Sequence, residues 1–372
     1  MPLLRRASLR SFLSSAKALL ANPTQQATPL TFIVGNESAD LDSLCSTVVL
    51  AYLRTYSSKK DNGFYIPLSN LLRADLSLRP ELLPVLKQAN LKPSDLITLS
   101  DLPSQSSDPH TLMQELKPER TRWILVDHNV LLGELGKAYG ENVVGVLDHH
   151  EDERIHVSST EDAAGEGRVI RTCGSCASLV VEEWRRYREN NKNVGEGEEK
   201  QWDVEVGKVA LAPVLVDTAN LTSKEKITKT DVEAVAFLEG IVGREFDRKE
   251  YYDEISRAKE DIASLGLRDI LRKDYKQWSE GRVELGISSV VKNMEFLVAK
   301  AGGKEGFLKV VQDWAIEKGL SLVAIMTTSH EGGKFGRELL VWGIDGKGAE
   351  ALKKFEKGAG EKLGLQVWEG GL

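Results

Sequence analysis

The distribution of apolar residues predicts buried strands that stop at polar side chains. Three continuous apolar runs, LTFIVG (30–35), RWILVDHN (122–129) and VVGVLDHH (143–150), have the composition of strands covered on both faces. An acidic or amide residue follows each run directly. Strands of this kind belong to parallel sheets, so the pattern predicts polar side chains gathered at one edge of such a sheet.

Helical segments alternate with these strands. Residues 42–56 read as a helix capped by Asp42 or Ser43, and residues 175–190 and 203–218 read mainly as helices. The last of these carries Asp217 toward the same edge. We therefore expect an α/β fold, with a parallel sheet that has helices on both faces.

The length of 372 residues exceeds what one hydrophobic core usually supports, so two domains are expected. A boundary is expected after the apolar segment 231–242. The remaining chain mixes a helix at 302–320 with strands at 321–328 and 337–344, which predicts a second, smaller α/β domain. The expected divisions are a helical extension (1–29), a first domain (30–240) and a second domain (247–372).

The N-terminal segment allows two interpretations. It carries Arg5, Arg6, Arg10 and Lys17 and has no acidic residue before Glu37, which is the composition of a mitochondrial presequence. Its apolar residues also fit one face of a helix docked on the protein body. We favour the docked helix, whose buried face would consist of Leu9, Phe12, Leu13, Ala16 and Leu20.

Composition excludes several classes of protein. The net charge of -7 and pI near 5.6 argue against a broadly basic nucleic-acid binder, and no run of about 18 apolar residues predicts a membrane span. Three cysteines occur, and we interpret Cys173 and Cys176 as buried thiols at a helix start rather than a redox or zinc pair. A reducing compartment follows, with cytoplasm expected and the mitochondrion as the alternative.

The first polar motif supplies two carboxylates. In GNESADLDS, Asp40 and Asp42 of an extended stretch would point to the same side while Leu41 points away. Two carboxylates on one side suit two metal ions. An isolated Asp-x-Asp also occurs in ordinary loops and helix caps, so this motif needs support from the others.

The second and third motifs add histidines to aspartates. Asp127 and His128 follow one predicted strand, and Asp148, His149 and His150 follow the next. Three of the six histidines of the chain lie in these two motifs. A single histidine is more often structural, but three beside strand-terminal aspartates indicate hard metal ligands.

The ordered set NESADLDS, VDHN, DHH and LVDT resembles the DHH phosphoesterase superfamily. It is most similar to the eukaryotic exopolyphosphatase branch, which is related to family II inorganic pyrophosphatases. The segments 217–231 (DTANLTSKEKITKTD) and 268–278 (RDILRKDYKQW) are likewise similar to this branch. The resemblance spans nearly the whole chain and implies an active site in a cleft between the two domains.

The resemblance implies a role for each residue of the motifs. Asn36 and Asp40 would bind one divalent cation, Asp42, His149 and Asp217 the other, and Asp127 both. Asp148 would hold a histidine in one tautomer, and His150 would contact the substrate phosphate. Asn129 and His128 would support these groups. The implied catalytic residues are therefore His150, Asp127 and Asp148, with two Mg²⁺ or Mn²⁺ ions activating a hydroxide.

Asn36 replaces the histidine that the pyrophosphatases carry at this position. Imidazole favours transition metals, whereas a carboxamide oxygen is a hard ligand compatible with magnesium. The sequence therefore predicts that magnesium supports turnover, with manganese as a possible substitute.

The second domain would supply cations for the substrate. By resemblance, Lys276 and Arg337 are the expected phosphate contacts, and Lys334, Arg272, Lys273 and His330 are weaker candidates. The Ser-Arg-Lys motif that relatives carry near the C-terminus does not occur in this sequence. We therefore expect either an altered phosphate clamp or a truncated chain.

The leading hypothesis is an exopolyphosphatase that removes terminal phosphate from linear inorganic polyphosphate. The enzymatic alternatives are an inorganic pyrophosphatase and a phosphodiesterase acting on short oligonucleotides or cyclic nucleotides. An alternative of another class is a non-catalytic relative that binds polyphosphate or protein. No nucleic acid or membrane partner is expected, and a monomer is slightly favoured.

Overall fold

Two separate β-sheets organise the chain. The computed structural model describes residues 5–23, 28–57, 63–103, 116–156, 167–190, 198–331 and 334–366. These form two compact units, one extending to Lys259 and the other beginning at Glu260. The first unit contains a parallel sheet and the second a mixed sheet, so the expected α/β fold with a second, smaller α/β unit is confirmed.

The first sheet has five parallel strands. They are β1 (Leu30–Val34), β2 (Tyr65–Leu68), β3 (Thr121–Val126), β4 (Val143–Asp148) and β5 (Arg168–Ile170). Their order is β2-β1-β3-β4-β5. The chain leaves β1 toward one side for β2 and returns to the other side for β3. A crevice therefore opens between the carboxyl ends of β1 and β3, where open α/β sheets bind their ligands.

Helices cover both faces of this sheet. The helices through residue 260 are α1 (Leu9–Leu20), α2 (Leu41–Ser57), α3 (Leu82–Gln88), α4 (Gly133–Tyr139), α5 (Cys176–Asn190), α6 (Glu198–Asp217), α7 (Lys229–Val242) and α8 (Arg248–Glu260). On one face Phe32 stacks on Trp123 and Trp123 on Tyr139, with ring centroids 4.6 and 4.8 Å apart. On the other face Ile33 and Ile124 join the core formed with α2, α5 and α6. Burial on both faces explains the uninterrupted apolar runs.

Helix α1 packs on the first unit. All five residues of its predicted apolar face are buried, and Phe12 stacks on Phe64. The preceding Arg6 donates to Asp203 and to the Tyr52 hydroxyl, and Lys17 donates to the Ser94 carbonyl. Arg10 donates to the Asn90 carbonyl, so three basic residues of this segment have partners in the folded chain.

The second unit is built on a four-stranded mixed sheet. Its strands, in the order β6-β7-β8-β9, are β6 (Tyr275–Glu280), β7 (Val283–Val290), β8 (Leu322–Glu331) and β9 (Lys334–Gly343). Its helices are α9 (Leu267–Lys273), α10 (Met294–Lys300), α11 (Lys304–Glu317), α12 (Gly346–Phe355) and α13 (Glu361–Leu363). Strands β7 and β8 are parallel, and the other two pairs are antiparallel. Phe307 and Trp314 of α11 lie in its core.

The start of α2 differs from the sequence prediction. Neither Asp42 nor Ser43 caps this helix, because it begins at Leu41 and the Asp40 carboxylate accepts a hydrogen bond from the Ser43 amide at 3.0 Å. Asp40 is therefore the N-cap residue. Asp42 lies in the first helical turn, so the predicted extended stretch from Asp40 to Asp42 is wrong.

Within the residues that the structure describes, every helix is too short or too polar to cross a membrane.

Candidate metal centre

Asn36 and Asp127 meet at the crevice between β1 and β3. The Asn36 amide nitrogen donates to Asp127 Oδ2 at 2.9 Å and to the Asp127 carbonyl at 3.1 Å. The Ser43 hydroxyl donates to the same Oδ2 at 2.6 Å and accepts a hydrogen bond from the Asn36 backbone amide. Two hydrogen bonds therefore fix the Asp127 side chain, a third holds its backbone carbonyl, and Oδ1 is left facing the histidines.

Asp127 also has an unusual backbone conformation. Its φ of 64° lies in the left-handed region, which non-glycine residues seldom adopt. Such a conformation costs on the order of 1 kcal/mol and persists where its surroundings enforce it. The turn directs Asp127 into the crevice directly after β3.

Asp42 connects α2 to the start of α5. Its carboxylate accepts hydrogen bonds from the backbone amides of Cys176 at 2.6 Å and Ala177 at 2.9 Å, and from the Ser46 hydroxyl at 2.9 Å. The two amides are the first of α5, so Asp42 caps that helix from a distant part of the sequence. The side chain is buried and has little freedom to move.

His149 lies between Asp127 and Asp42. Its Nε2 is 3.1 Å from Asp127 Oδ1 and 3.9 Å from Asp42 Oδ2. Its Nδ1 lies 2.9 Å from the Cys173 carbonyl, which can only accept a hydrogen bond. Nδ1 therefore carries a proton, and Nε2, which shares a proton with Asp127 in the absence of metal, is the nitrogen that would offer its lone pair to a bound cation.

Asp148 holds the other histidine of the motif. Its Oδ1 is 2.8 Å from His150 Nδ1, and its Oδ2 accepts a hydrogen bond from Asn129 at 2.6 Å. Asn129 also bonds to the Glu151 carbonyl and the Glu153 amide. Asp148 is fully buried, whereas about half of the His150 side chain is exposed. His128 instead turns its Nδ1 to the Val126 carbonyl at 3.0 Å.

Asp217 is the last residue of α6. One of its carboxylate oxygens, Oδ2, is buried and has no hydrogen-bond partner in the described part of the chain. The negative charges of Asp42 and Asp40 act on it, as does the positive charge of Lys259 in α8. A buried oxygen without a donor carries a desolvation cost that a cation would remove.

The electrostatics of the cluster favour a bound cation. Burial raises the pKa of Asp42, Asp127 and Asp217, and the charge of a neighbouring aspartate adds to the rise at each. Burial lowers the pKa of His149, but its hydrogen bonds to Asp127 and Cys173 outweigh burial and raise the pKa to about 12. Positive charge is therefore stabilised beside these carboxylates.

Asp148 behaves differently from this group. Burial raises its pKa, but hydrogen bonds from His150 and Asn129 outweigh burial and lower it to about 2. The neighbours of Asp148 thus already stabilise its ionised carboxylate. The three carboxylates with raised pKa, together with Asp40 and Nε2 of His149, form a set of oxygen and nitrogen ligand atoms that fits divalent cations. Asp127, His149 and His150 each place one ligand atom within 4.8 Å of those of the other two.

One predicted ligand is oriented differently from the expectation. The Asn36 carboxamide oxygen accepts a hydrogen bond from the Ala39 amide at 3.2 Å, and its nitrogen is the atom beside Asp127. A half-turn of the carboxamide would exchange the two atoms and bring the oxygen to the cluster. The ligand role of Asn36 stays a prediction.

The predicted phosphate contacts lie on the second unit. Lys276 pairs with Ile287, Ile287 with Ala324, and Ala324 with Val341, so this row crosses all four strands. Arg337 precedes Val341 on β9 and projects from the same face, because the two positions differ by an even number. Strand spacing and rise per residue separate Lys276 and Arg337 by roughly 20 Å along this face. Both side chains are exposed.

The weaker phosphate candidates have local partners or fall outside the description. Arg272 donates to Asp269, and Lys273 is buried with its ammonium 3.6 Å from Asp274. These two side chains are therefore engaged within the second unit. The side chains of Lys334 and His330 lie outside the described residues.

Sequence reasoning missed several residues that hold this site. Ser43 joins Asn36 to Asp127, and Arg79, which is buried, donates to the Ser38 carbonyl in the loop between β1 and α2. The buried Asp231 bonds to the backbone beside Cys173. The capping-box spacing from Thr228 to Asp231 is visible in the sequence, but only the fold reveals the contact of Asp231 with a loop 57 residues away.

Comparison with known proteins gives two family matches and a full-length relative. The model of the DHH family, N-terminal domain, matches residues 31–203, and the model of the DHHA2 domain matches residues 253–369. A Schizosaccharomyces pombe protein described as "Putative exopolyphosphatase" is 30% identical over 98% of this chain and 88% of its own length. The chain belongs to the DHH family.

Other members of the DHH family are more distant. "Exopolyphosphatase PRUNE1" of Homo sapiens is 27% identical over 79% of this chain, which spans 58% of the human protein. "Manganese-dependent inorganic pyrophosphatase" of Methanocaldococcus jannaschii is 23% identical, with 84% of this chain and 86% of that protein covered. Both names are those of phosphoanhydride hydrolases, and one names a metal.

A solved structure confirms the fold of this DHH protein. A crystal structure from Methanococcus jannaschii, described as a "putative family II inorganic pyrophosphatase", aligns with a TM-score of 0.58 at 21% identity. The alignment covers 87% of this chain and 90% of that one. The two proteins therefore share the arrangement of strands that brings Asn36, Asp127 and Asp148 to one edge.

Proposed function

We propose that the protein is an exopolyphosphatase that hydrolyses terminal phosphate from linear inorganic polyphosphate with the help of two divalent cations. The observation that carries the proposal is the crowding of buried carboxylates at the crevice between β1 and β3. Asp42, Asp127 and Asp217 have raised pKa values there, and Nε2 of His149 lies 3.1 Å from the Asp127 carboxylate. Such a cluster costs folding free energy unless a ligand neutralises it.

Each cation would have its own set of ligands. Asn36 and Asp40 would hold one, Asp42, His149 and Asp217 would hold the other, and Asp127 would contact both. Asp127 suits this role because Ser43 and Asn36 fix one of its oxygens and leave the other directed at His149. When bound, a pair of Mg²⁺ or Mn²⁺ ions would acidify a water molecule and offset the negative charge of the phosphate.

The remaining residues of the site would act on the substrate. His150 is exposed, and Asp148 holds its Nδ1 at 2.8 Å, so its Nε2 is free to turn toward a phosphate oxygen. A proton on Nε2 would let the imidazole donate a hydrogen bond to the leaving phosphate. His150 and Asp148 would thus act as a pair.

The two exposed cations of the second unit favour a long substrate. The backbones of Lys276 and Arg337 lie roughly 20 Å apart on one face, a span that a substrate of several phosphates would bridge more readily than a single phosphate group. A chain of phosphates could contact both in turn. This spacing supports polyphosphate over pyrophosphate as the preferred substrate.

An inorganic pyrophosphatase is the second candidate. The names of the relatives from Methanocaldococcus jannaschii and from Methanothrix thermoacetophila support it, although these proteins are 23% and 24% identical to this chain. The chemistry at the cluster would be the same for both substrates, since each reaction transfers a phosphoryl group to water. Only the binding of the rest of the substrate would differ.

The test is orthophosphate release from long-chain polyphosphate, tripolyphosphate and pyrophosphate, each with Mg²⁺ or Mn²⁺. We expect the highest kcat/KM with a substrate longer than pyrophosphate. Preference for pyrophosphate would replace the proposal with the second candidate. Absence of release from all three substrates with both metals would contradict a phosphoanhydride hydrolase of either kind.

A further inference from the structure

The carboxylate of Asp231 is fully buried and accepts hydrogen bonds from two separate parts of the chain. Thr228 donates from its backbone amide at 2.7 Å and from its hydroxyl at 2.8 Å. The Gly174 amide donates at 2.9 Å to one oxygen and at 3.1 Å to the other, and the Ser178 hydroxyl donates at 2.7 Å. All of these donors are neutral, and the described residues form no ion pair with Asp231.

A local role explains only part of this arrangement. Thr228 and Asp231 form the capping box of α7, which satisfies the first amides of that helix. A capping box needs no contact with Gly174 or Ser178, which lie 57 and 53 residues earlier in the sequence. Capping does not require a buried carboxylate, and burying one without a cationic partner is costly. Capping alone therefore does not explain the full burial of Asp231.

The contact with Gly174 falls in the middle of a short segment, 173–177, which we call the ligand-support segment. Before Gly174, the Cys173 carbonyl accepts the hydrogen bond from His149 Nδ1. After it, the amides of Cys176 and Ala177 donate to the Asp42 carboxylate. One stretch of backbone therefore orients two of the proposed metal ligands.

Gly174 is also packed tightly against the residue that follows a third proposed ligand. A β-carbon at Gly174 would lie 2.7 Å from the Thr218 methyl group and 3.1 Å from the Lys226 carbonyl oxygen. Only glycine allows this approach, and Thr218 directly follows Asp217. The ligand-support segment thus touches the surroundings of Asp42, His149 and Asp217 together.

We infer that Asp231 is a positioning residue for the metal centre, which fixes the ligand-support segment and thereby holds His149 and Asp42 in their metal-binding orientations. This inference rests on the proposed two-metal function. Groups that orient metal ligands from outside typically change metal affinity by about 10- to 100-fold when they are lost. Asp231 acts one hydrogen bond further out, through the backbone of Gly174.

The test compares Asp231→Ala and Asp231→Asn with Thr228→Ala in the full chain freed of metal. Thr228→Ala is the matched control, because it removes a cap of α7 but leaves the bonds from Asp231 to Gly174 and Ser178 in place. Each variant is titrated with Mn²⁺ by calorimetry, and its melting temperature is recorded. We expect Asp231→Ala to weaken Mn²⁺ binding by about 10-fold or more. Thr228→Ala should lower the melting temperature but leave Mn²⁺ affinity within about 3-fold of the parent.

Asp231→Asn decides the question if Asp231→Ala does not fold. Asparagine keeps the size of the side chain but has only one acceptor oxygen, so it cannot serve the donors on both oxygens of Asp231. We expect its Mn²⁺ affinity to fall between those of the parent and the alanine variant. The inference would be overturned if the folded Asp231 variants bound Mn²⁺ as tightly as the parent, or if Thr228→Ala weakened Mn²⁺ binding equally. Either result would leave the proposed function standing. A parent chain that binds no Mn²⁺ would contradict the proposed function as well.

Discussion

The proposed metal centre and the proposed phosphate contacts are held in different ways. At the carboxyl edge of the parallel sheet, Asp42, Asp127 and His149 are bonded to groups of two helices, α2 and α5, and of the loops after β1 and β5, and have little freedom. On the mixed sheet, Lys276 and Arg337 stand on an exposed face, and the Arg337 guanidinium lies over the neighbouring Phe335 ring, 5.3 Å from its centroid. The side chains of the first region are therefore fixed before a ligand binds, whereas those of the second region can change conformation.

This difference matches the physical demands on the two regions. Metal ligands must be placed within fractions of an ångström, so their orientation is fixed in advance at a cost in folding free energy. A flexible polyanion can be held by long cationic side chains that adjust to it. The comparison therefore predicts large effects from small changes in the first region and moderate, additive effects in the second.

The largest effect is expected from Asp127→Asn. The change keeps the shape of the side chain and can keep its bonds from Ser43 and Asn36, but removes the negative charge between the two cations. We expect orthophosphate release from polyphosphate to fall by more than about 100-fold, since loss of outer groups alone costs about 10- to 100-fold. Asp313→Asn, at an exposed position of α11, is the matched control and should release phosphate at the parent rate. An Asp127→Asn variant with the activity of the parent would contradict the expectation that small changes at the metal centre have large effects.

The cations of the second unit should give a smaller effect that appears in KM. Lys276→Ala and Arg337→Ala should each raise KM for long-chain polyphosphate by about 10-fold, the value of one charge-assisted hydrogen bond. Because the two side chains stand roughly 20 Å apart, the effects should add in the double variant. Lys309→Ala, an exposed lysine of α11, serves as the control. Unchanged KM in the double variant would mean that this face does not contact the substrate.

Asn36→His should change the choice of metal rather than the capacity for turnover. Imidazole is a better ligand for manganese than for magnesium, so the ratio of rates with Mn²⁺ and Mg²⁺ should rise by several-fold. The ratio is measured by phosphate release with each metal at saturation. The same ratio in parent and variant would show that Asn36 is not a ligand, in line with its amide nitrogen facing Asp127.

The smallest effects concern stability without metal. Asp127→Asn removes one of the crowded carboxylates, and the new side chain can still bond to His149 Nε2 once the imidazole is neutral, so the free energy of unfolding in the presence of a chelator should rise by about 0.5–2 kcal/mol. Arg337→Ala at an exposed position should change it by less than about 0.5 kcal/mol. Denaturant titration measures both values. Loss of stability in Asp127→Asn would mean that the carboxylate cluster is not under electrostatic strain.

The sequence predicted the parts of the fold that long apolar runs define. Strands β1, β3 and β4 and the helix that carries Asp217 lie where the pattern indicated. Strands β2 and β5 were missed because they have four and three residues, too few for a pattern. In the second unit, β6 and β7 were missed, because all but the first residue of β6 are exposed and the buried residues of β7 do not form a continuous run.

The candidate site was predictable in its members but not in its connections. Strand ends gathered Asn36, Asp127 and Asp148 because parallel strands share one carboxyl edge. Because α2 begins at Leu41, Asp40 is its N-cap residue and Asp42 lies in the first turn, where it accepts hydrogen bonds from the amides of α5. No local sequence pattern indicates this contact. Asp231 and Gly174 depend on a contact across 57 residues, and only the folded chain provides it.

The most direct test of the account is the number of Mn²⁺ ions that one chain binds, measured by calorimetric titration of the metal-free parent and of Asp127→Asn. The account predicts two ions per parent chain and loss of at least one of them in the variant, because Asp127 would contact both. A parent that binds no Mn²⁺, or a variant that binds two ions as tightly as the parent, would contradict it.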